Sequence, residues 1–182
     1  MTNKYFDNIA FIGGIHGVGK STVCSKLCLN KKIHYLSASE ALKWKDINED
    51  SRNKKVRDIP FTQNRLIEGL INSVRKENFY LLDGHYCLLN GTTEIVRVPK
   101  YTFEQINPKA LYLILGNVAE IKYRLEKRDN RPYDYQLLED MQNCEISYAT
   151  ELSMQLNIKL YIGSQFDFSN IQDSLNLFTI NQ

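Results

Sequence analysis

A chain of 182 residues is long enough for one domain with a sizeable core. Apolar residues at 43% and charged residues at 24% exclude a disordered composition. With 23 Lys plus Arg against 21 Asp plus Glu, the formal charge of +2 gives no overall pull toward nucleic acid or an anionic membrane.

Residues 5–12 are aromatic and β-branched and run into Gly13-Gly14, the pattern of a buried first strand ending in a glycine turn. Residues 20–29 carry Val23, Cys24, Leu27 and Cys28 at helical spacing, with both thiols packed against a sheet. A short strand is expected over 32–36, where His34 begins the extended run. A helix capped by Ser37 or Ser39 follows, Glu40 standing at capping-box distance from Ser37. Residues 45–59 are polar, charged and aperiodic, the best candidate for a mobile surface segment. Trp44 beside them either walls a base pocket or packs in the core, and the core is the favoured reading.

Pro60 suits the first turn of a helix with Leu66, Ile67, Leu70, Ile71 and Val74 on one face. Residues 79–82 form a compact apolar strand that stops at Asp83, and a loop or hairpin is expected at Asn90-Gly91. A second apolar strand spans 110–115, a helix 118–127, a long helix 135–156, a last strand 158–162 and a small helix 170–177. Short buried strands alternating with helices predict an α/β fold of three layers, a mostly parallel five-stranded sheet with helices on both faces, in one domain over 1–182.

No apolar run approaches the ~20 residues needed to span a bilayer. Residues 1–8 lack the basic, apolar and small-residue order of a secretory signal. The four cysteines, Cys24, Cys28, Cys87 and Cys144, form no C-x-x-C pair, so neither a disulfide scaffold nor a zinc site is expected. The chain reads as intracellular, with reduced thiols.

The sharpest signal is Gly14-Ile15-His16-Gly17-Val18-Gly19-Lys20-Ser21, a full match to G-x-x-x-x-G-K-S/T, followed by Thr22. That spacing lets successive backbone N–H groups wrap a phosphate, with glycines where side chains would block the approach. Lys20 then reaches the β- and γ-phosphates of ATP, Ser21 is placed for Mg²⁺, and the following helix directs its positive end at the anion. Asp83, at the end of a strand, has the position of a second Mg²⁺ group, although Asp-Gly is also a common turn. His85 either orients water or a phosphate, or is a structural histidine; His16 and His34 carry less signal. Lys122, Arg124, Lys127, Arg128 and Arg131 either close over a transferring phosphoryl group or solvate a helix end. Arg57 and Arg65 either reach a second phosphate-bearing substrate or lie on the surface.

With these pieces placed, the chain resembles the atypical adenylate kinases of archaea and the eukaryotic nucleus, within the phosphate-loop nucleoside triphosphatase superfamily. The resemblance rests on the phosphate loop, on Asp83-Gly84-His85 with Cys87 nearby, and on Tyr123-Arg124-Leu125-Glu126-Lys127-Arg128 followed by Cys144-Glu145-Ile146. Together these span most of residues 8–162 in family order. Residues 88–98 differ from that family's segment after the Asp-x-His, and the arm shows no adenine-pocket signature.

The resemblance implies an acceptor-binding arm over 37–60, with Ser37 and Arg57 toward the acceptor, and a lid over 127–137. It implies catalytic roles for Lys20, Asp83, His85 and Arg128, with Arg124 and Arg131 assisting at ATP and Ser21 with Asp83 at Mg²⁺. The implied activity is γ-phosphoryl transfer from Mg·ATP to a nucleoside monophosphate such as AMP, with intrinsic ATP hydrolysis. Rival readings are a kinase of another small metabolite, an ATPase switch acting on a protein or nucleoprotein partner, and a nucleotide sensor without turnover. No membrane or direct nucleic-acid partner is expected.

Overall fold

The computed structural model describes residues 5–29, 32–42, 55–56 and 59–180. The apolar run ahead of the glycines forms β1 (Ile9–Gly13), buried along its whole length. The chain then passes through the glycine loop into α1 (Lys20–Cys28), β2 (Ile33–Ser37) and α2 (Ala38–Ala41). After β3 (Lys55–Val56) come α3 (Ile59–Ser73) and β4 (Phe79–Asp83). The hairpin β5 (Cys87–Asn90) and β6 (Ile95–Arg97) leads to α4 (Lys100–Ile106) and β7 (Leu111–Leu115). The chain finishes with α5 (Val118–Asp129), α6 (Tyr135–Leu156), β8 (Leu160–Ser164) and α7 (Ser169–Ile180).

The main sheet has the order β2-β4-β1-β7-β8, and every pairing in it is parallel. Alternation along the strands builds two cores. Ala10, Ile12, Leu81, Tyr112 and Ile114 meet Val23, Leu27, Ile121, Leu125 and Ile171 on one face. Ile9, Phe11, Leu82, Leu111 and Leu113 meet Leu66, Leu70, Phe103, Ile106 and Leu152 on the other. The expected three-layer α/β architecture is therefore present. Each fully buried Leu or Ile contributes about 1.5–3 kcal/mol of transfer free energy. No helix among the described residues is long and apolar enough to cross a membrane.

Several boundaries differ from the sequence reading. The last strand begins two residues later than expected because Asn157 adopts φ 53° and the Ile158 N–H closes back on the Ser153 carbonyl at 3.0 Å, ending α6 before the chain can extend. Ser37 does stand at the N-terminus of α2, but its hydroxyl pairs with Ser39 Oγ at 2.7 Å and caps no backbone amide, so the capping box does not form. In α3, Leu66, Ile67 and Leu70 are buried while Ile71 is exposed, a narrower stripe than the one predicted. The hairpin at Asn90-Gly91 is present, yet its left-handed residue is Thr93 at φ 69°, organised by Asn90 Oδ1, which accepts from the Thr92 and Glu94 N–H groups. Helix α4 and strand β3 escaped the pattern reading. The candidate mobile segment, with Trp44 and Arg57, falls largely outside the described residues.

The expectation of four reduced thiols is corrected. Cys87 in β5 and Cys144 in α6 are joined in a disulfide, their Cα atoms 6.4 Å apart and 57 residues apart in sequence. Neighbour spacing cannot detect a pair that only the tertiary fold brings together. Cys24, buried, and Cys28, half-buried, stand outside any disulfide.

Candidate functional site

The site lies at the carboxyl ends of the parallel strands, where the loops after β1 and β4 adjoin. Register fixes that proximity: Ile12 pairs with Asp83, and Asp83 in turn pairs with Ser37. In the glycine loop Gly17 and Gly19 hold φ of 77° and 105°, which a residue with a Cβ adopts only at a cost. Space opposes a side chain as well, since a Cβ on Gly17 would come 2.7 Å from Leu125 Cγ. Gly19 occupies the N-cap of α1, so the free amides of that helix open into the loop.

Lys20 is buried and folds back over the loop. Its Nζ donates to the Gly14 carbonyl at 2.6 Å and lies 3.9 Å from Asp83 Oδ1. Gly17, Gly19, Lys20, Ser21 and Thr22 line a cleft of about 500 Å³. Gly14 and Val18 do not face it: the Gly14 carbonyl holds Lys20, and the Val18 side chain is fully buried.

Asp83 ends β4 facing that loop. Burial pushes its carboxyl upward, while the Lys20 charge and a hydrogen bond from Tyr35 oppose the shift. Tyr35, in β2, donates to Asp83 Oδ2 at 3.1 Å. The sequence reading missed Tyr35, because only the β2–β4 pairing brings it there. One carboxylate and one hydroxyl are the hard oxygen donors with which Mg²⁺ completes a shell of phosphate oxygens and waters. Asp83 and Ser21 fit that ion.

Beside Asp83 three further groups converge. The His85 and His16 rings have centroids 4.1 Å apart, and His85 Nδ1 lies 3.8 Å from Glu145 Oε1. Glu145 comes from the middle of α6 and is fully buried. It accepts the N–H groups of Tyr86 at 2.9 Å and Cys87 at 3.0 Å. Burial pushes its carboxyl up to about 7, against the stabilising effects of those N–H groups and the Lys20 charge. Its sequence signal was limited to its place in the Cys144-Glu145-Ile146 run.

The predicted arginines divide. Arg124 and Arg128 both line the cleft, as their spacing of four requires. Arg128 makes a two-pronged pair with Asp129 at 2.7 and 2.8 Å, which holds the Asp129 carboxyl well below the usual range. Arg124 Nε is buried with no hydrogen-bond partner among the described residues. Arg131 does not line the cleft and donates to the Tyr133 hydroxyl. Arg65 is also away from it and donates to the Leu42 carbonyl. The segment expected to form a lid holds only a short connection: α5 stops at Asn130 with φ 51°, and α6 starts at the Asp134 cap, whose Oδ1 accepts the Leu137 N–H.

The same cleft has an apolar lining of Phe11, Leu42, Leu66, Leu88, Phe103 and Ile106. Gln63 and Thr102 add polar groups there, and Thr102 Oγ1 is buried without a hydrogen-bond partner among the described residues.

A glycine cradle, a lysine and a strand-end aspartate on this sheet define a kinase-like phosphate-loop domain. The profile of the family described as "AAA domain" matches residues 13–142, and the chain belongs to that family. An adenylate kinase of Sulfurisphaera tokodaii is 27% identical over 135 residues, covering 66% of this chain and 69% of that protein. Among solved structures, a gluconokinase from Sinorhizobium meliloti 1021 superposes over 96% of this chain and 98% of its own, with a TM-score of 0.47 and 12% identity.

Proposed function

We propose that the protein is a Mg·ATP-dependent phosphotransferase of the atypical adenylate kinase type, passing the γ-phosphoryl group to a nucleoside monophosphate, AMP foremost. The observation that carries this reading is that one cleft is lined by the phosphate loop, by Asp83 and His85, and by an apolar set large enough to receive a second substrate. Similarity to an adenylate kinase supports the same reading.

The loop amides and Lys20 would hold the β- and γ-phosphates, Lys20 exchanging its loop carbonyls for phosphate oxygens. Ser21 and Asp83 would hold Mg²⁺, which neutralises charge on the phosphates when bound. An acceptor phosphate oxygen bonds to the γ-phosphorus as the bond to the β–γ bridging oxygen breaks, and ADP leaves with that electron pair. Arg124 and Arg128 cover the developing charge on the transferring group. Ser37, which lines the cleft, would contact the acceptor; Arg57 belongs to the same proposal but lies outside the described residues. The lid over 127–137 would close to exclude water; most of the arm over 37–60 lies outside the described residues.

A second reading, an ATPase switch acting on a partner protein, draws on the His85–Glu145 pair beside Asp83, which suits activation of water. The deciding measurement is ADP formation from Mg·ATP with and without a panel of nucleoside monophosphates and small sugars. Strong stimulation by AMP, with a second ADP as product, is expected. Hydrolysis indifferent to every acceptor overturns the kinase in favour of the switch, and stimulation by a sugar alone reassigns the acceptor.

A further inference from the structure

Glu145 has no necessary part in the phosphate chemistry above, yet it is a wholly buried carboxylate next to it. Burying a carboxylate is costly, so packing alone gives no reason for one here. Its Oε1 accepts the N–H groups of Tyr86 and Cys87, the two residues that follow His85. Its Oε2 has no hydrogen-bond partner among the described residues and abuts Gly13, where a Cβ would lie 3.2 Å away. The Gly14 N–H adds a weaker favourable interaction. One side chain thus touches both the origin of the phosphate loop and the turn bearing His85.

The helix that delivers it is itself anchored to the same region. One turn earlier, Gln142 clamps Gly116 after β7, accepting its N–H and donating to its carbonyl, both at 3.1 Å. Next to Glu145, Cys144 is bonded to Cys87. Helix α6 thus holds Gly116, the 85–87 turn and the start of the phosphate loop through neighbouring residues of one helix.

We propose that Glu145 is a positioning residue for the transfer step: from α6 it fixes the 85–87 turn against the start of the phosphate loop and so aims the His85 imidazole at the transferring group. The inference rests on the phosphotransferase reading. The titratable and charged groups facing Glu145 are His85 and Tyr86 from the turn after β4, and Lys20 from α1. The carboxylate form is the stronger acceptor for the two N–H groups.

The test uses Glu145→Gln, which keeps the shape and one acceptor oxygen, together with His85→Ala and the double variant. For Glu145→Gln, kcat falls about 10–100-fold, the size typical when a supporting hydrogen bond behind a site is lost. KM for ATP and AMP changes by less than about threefold, the pattern of an interaction used in the transition state. Amide exchange at Tyr86 and Cys87 speeds up about tenfold, matching loss of charge assistance to their hydrogen bonds. In the double variant the second change costs less than about twofold, because both act through one group.

A kcat within about twofold of wild type, losses that multiply in the double variant, or unchanged exchange at both amides each overturn the proposal. Transfer to AMP and acceptor-free hydrolysis are measured side by side. A wild type that hydrolyses ATP but does not phosphorylate AMP overturns the acceptor assignment, and the Glu145 comparison is then decided on hydrolysis and on amide exchange, neither of which needs an acceptor.

Discussion

The Tyr35 hydroxyl reaches from β2 to Asp83 Oδ2 at 3.1 Å, while Lys20 Nζ stands 3.9 Å from the other oxygen of the same carboxylate. Asp83 is thus held from two sides by groups on different elements, and its orientation does not depend on a ligand. Tyr35→Phe removes one of those supports and leaves the ring in place. Losing one hydrogen bond to a charged group costs about 1.5–3 kcal/mol, so the Mg²⁺ concentration for half-maximal activity rises about tenfold or more. A Mg²⁺ titration of ATP turnover checks this, with an unchanged requirement counting against the metal role of Asp83.

Lys20 is placed to trade protein partners for phosphate. Its ammonium is satisfied by the Gly14 and Ile15 carbonyls, so on the proposed reading the charge stands ready in the loop for ATP. Lys20→Ala lowers kcat by about 10²–10³-fold, the cost of removing a preorganised group aimed at developing charge. Circular dichroism and melting temperature remain close to wild type, because the side chain supports the loop and not either core. Full turnover in this variant sinks the site assignment.

Arg124 and Arg131, seven residues apart, separate a cleft residue from its neighbour. Arg124 lines the cleft, its Nε without a partner among the described residues, whereas Arg131 is engaged with Tyr133. Arg124→Ala therefore costs about 10²-fold in kcat and Arg131→Ala less than about twofold. Steady-state kinetics on the two variants decide it, and equal effects contradict the division.

This division shows where sequence pattern stops. The phosphate loop, the strand-end Asp83 and the bounds of α6 were legible because each is local: fixed spacing, a strand terminus, a long periodic run. The sheet was legible because its strands are short and apolar. Tyr35 and Glu145 were not assigned roles, since the first reaches Asp83 by β2–β4 register and the second crosses from α6 to the 85–87 turn. The Cys87–Cys144 bond was missed for the same reason. Arg131 looked equivalent to Arg124 in a basic run, but the end of α5 at Asn130 takes it off the helix.

That disulfide closes a loop of 57 residues between β5 and α6. Loop-closure entropy for that length is worth about 4 kcal/mol, or about 10 °C in melting temperature for a domain of this size. Calorimetry with and without reductant measures it, and Cys87→Ser without reductant melts with the reduced wild type. Thiol titration of the unfolded, unreduced protein finds two reactive groups, Cys24 and Cys28. Four reactive thiols would show that the bond does not form.

Glu145 sets stability against activity. Its carboxyl goes from an ordinary 4.5 to about 7 on folding, chiefly through burial. The folded state therefore holds this proton more tightly than the unfolded chain. Stability from Glu145 is present below pH 4.5 and is lost as pH rises toward 7, a fall of about 2–3 kcal/mol between pH 5 and pH 8. Denaturant unfolding of wild type and Glu145→Gln isolates that slope, since their other titrating groups are shared. The difference moves in favour of the glutamine variant by that amount across the window. Activity runs the other way: wild-type kcat climbs as Glu145 ionises through pH 7, and the glutamine variant lacks that limb. A variant that gains relative stability at pH 8 while losing turnover cannot owe the loss to unfolding, so the buried charge is kept for what it aligns.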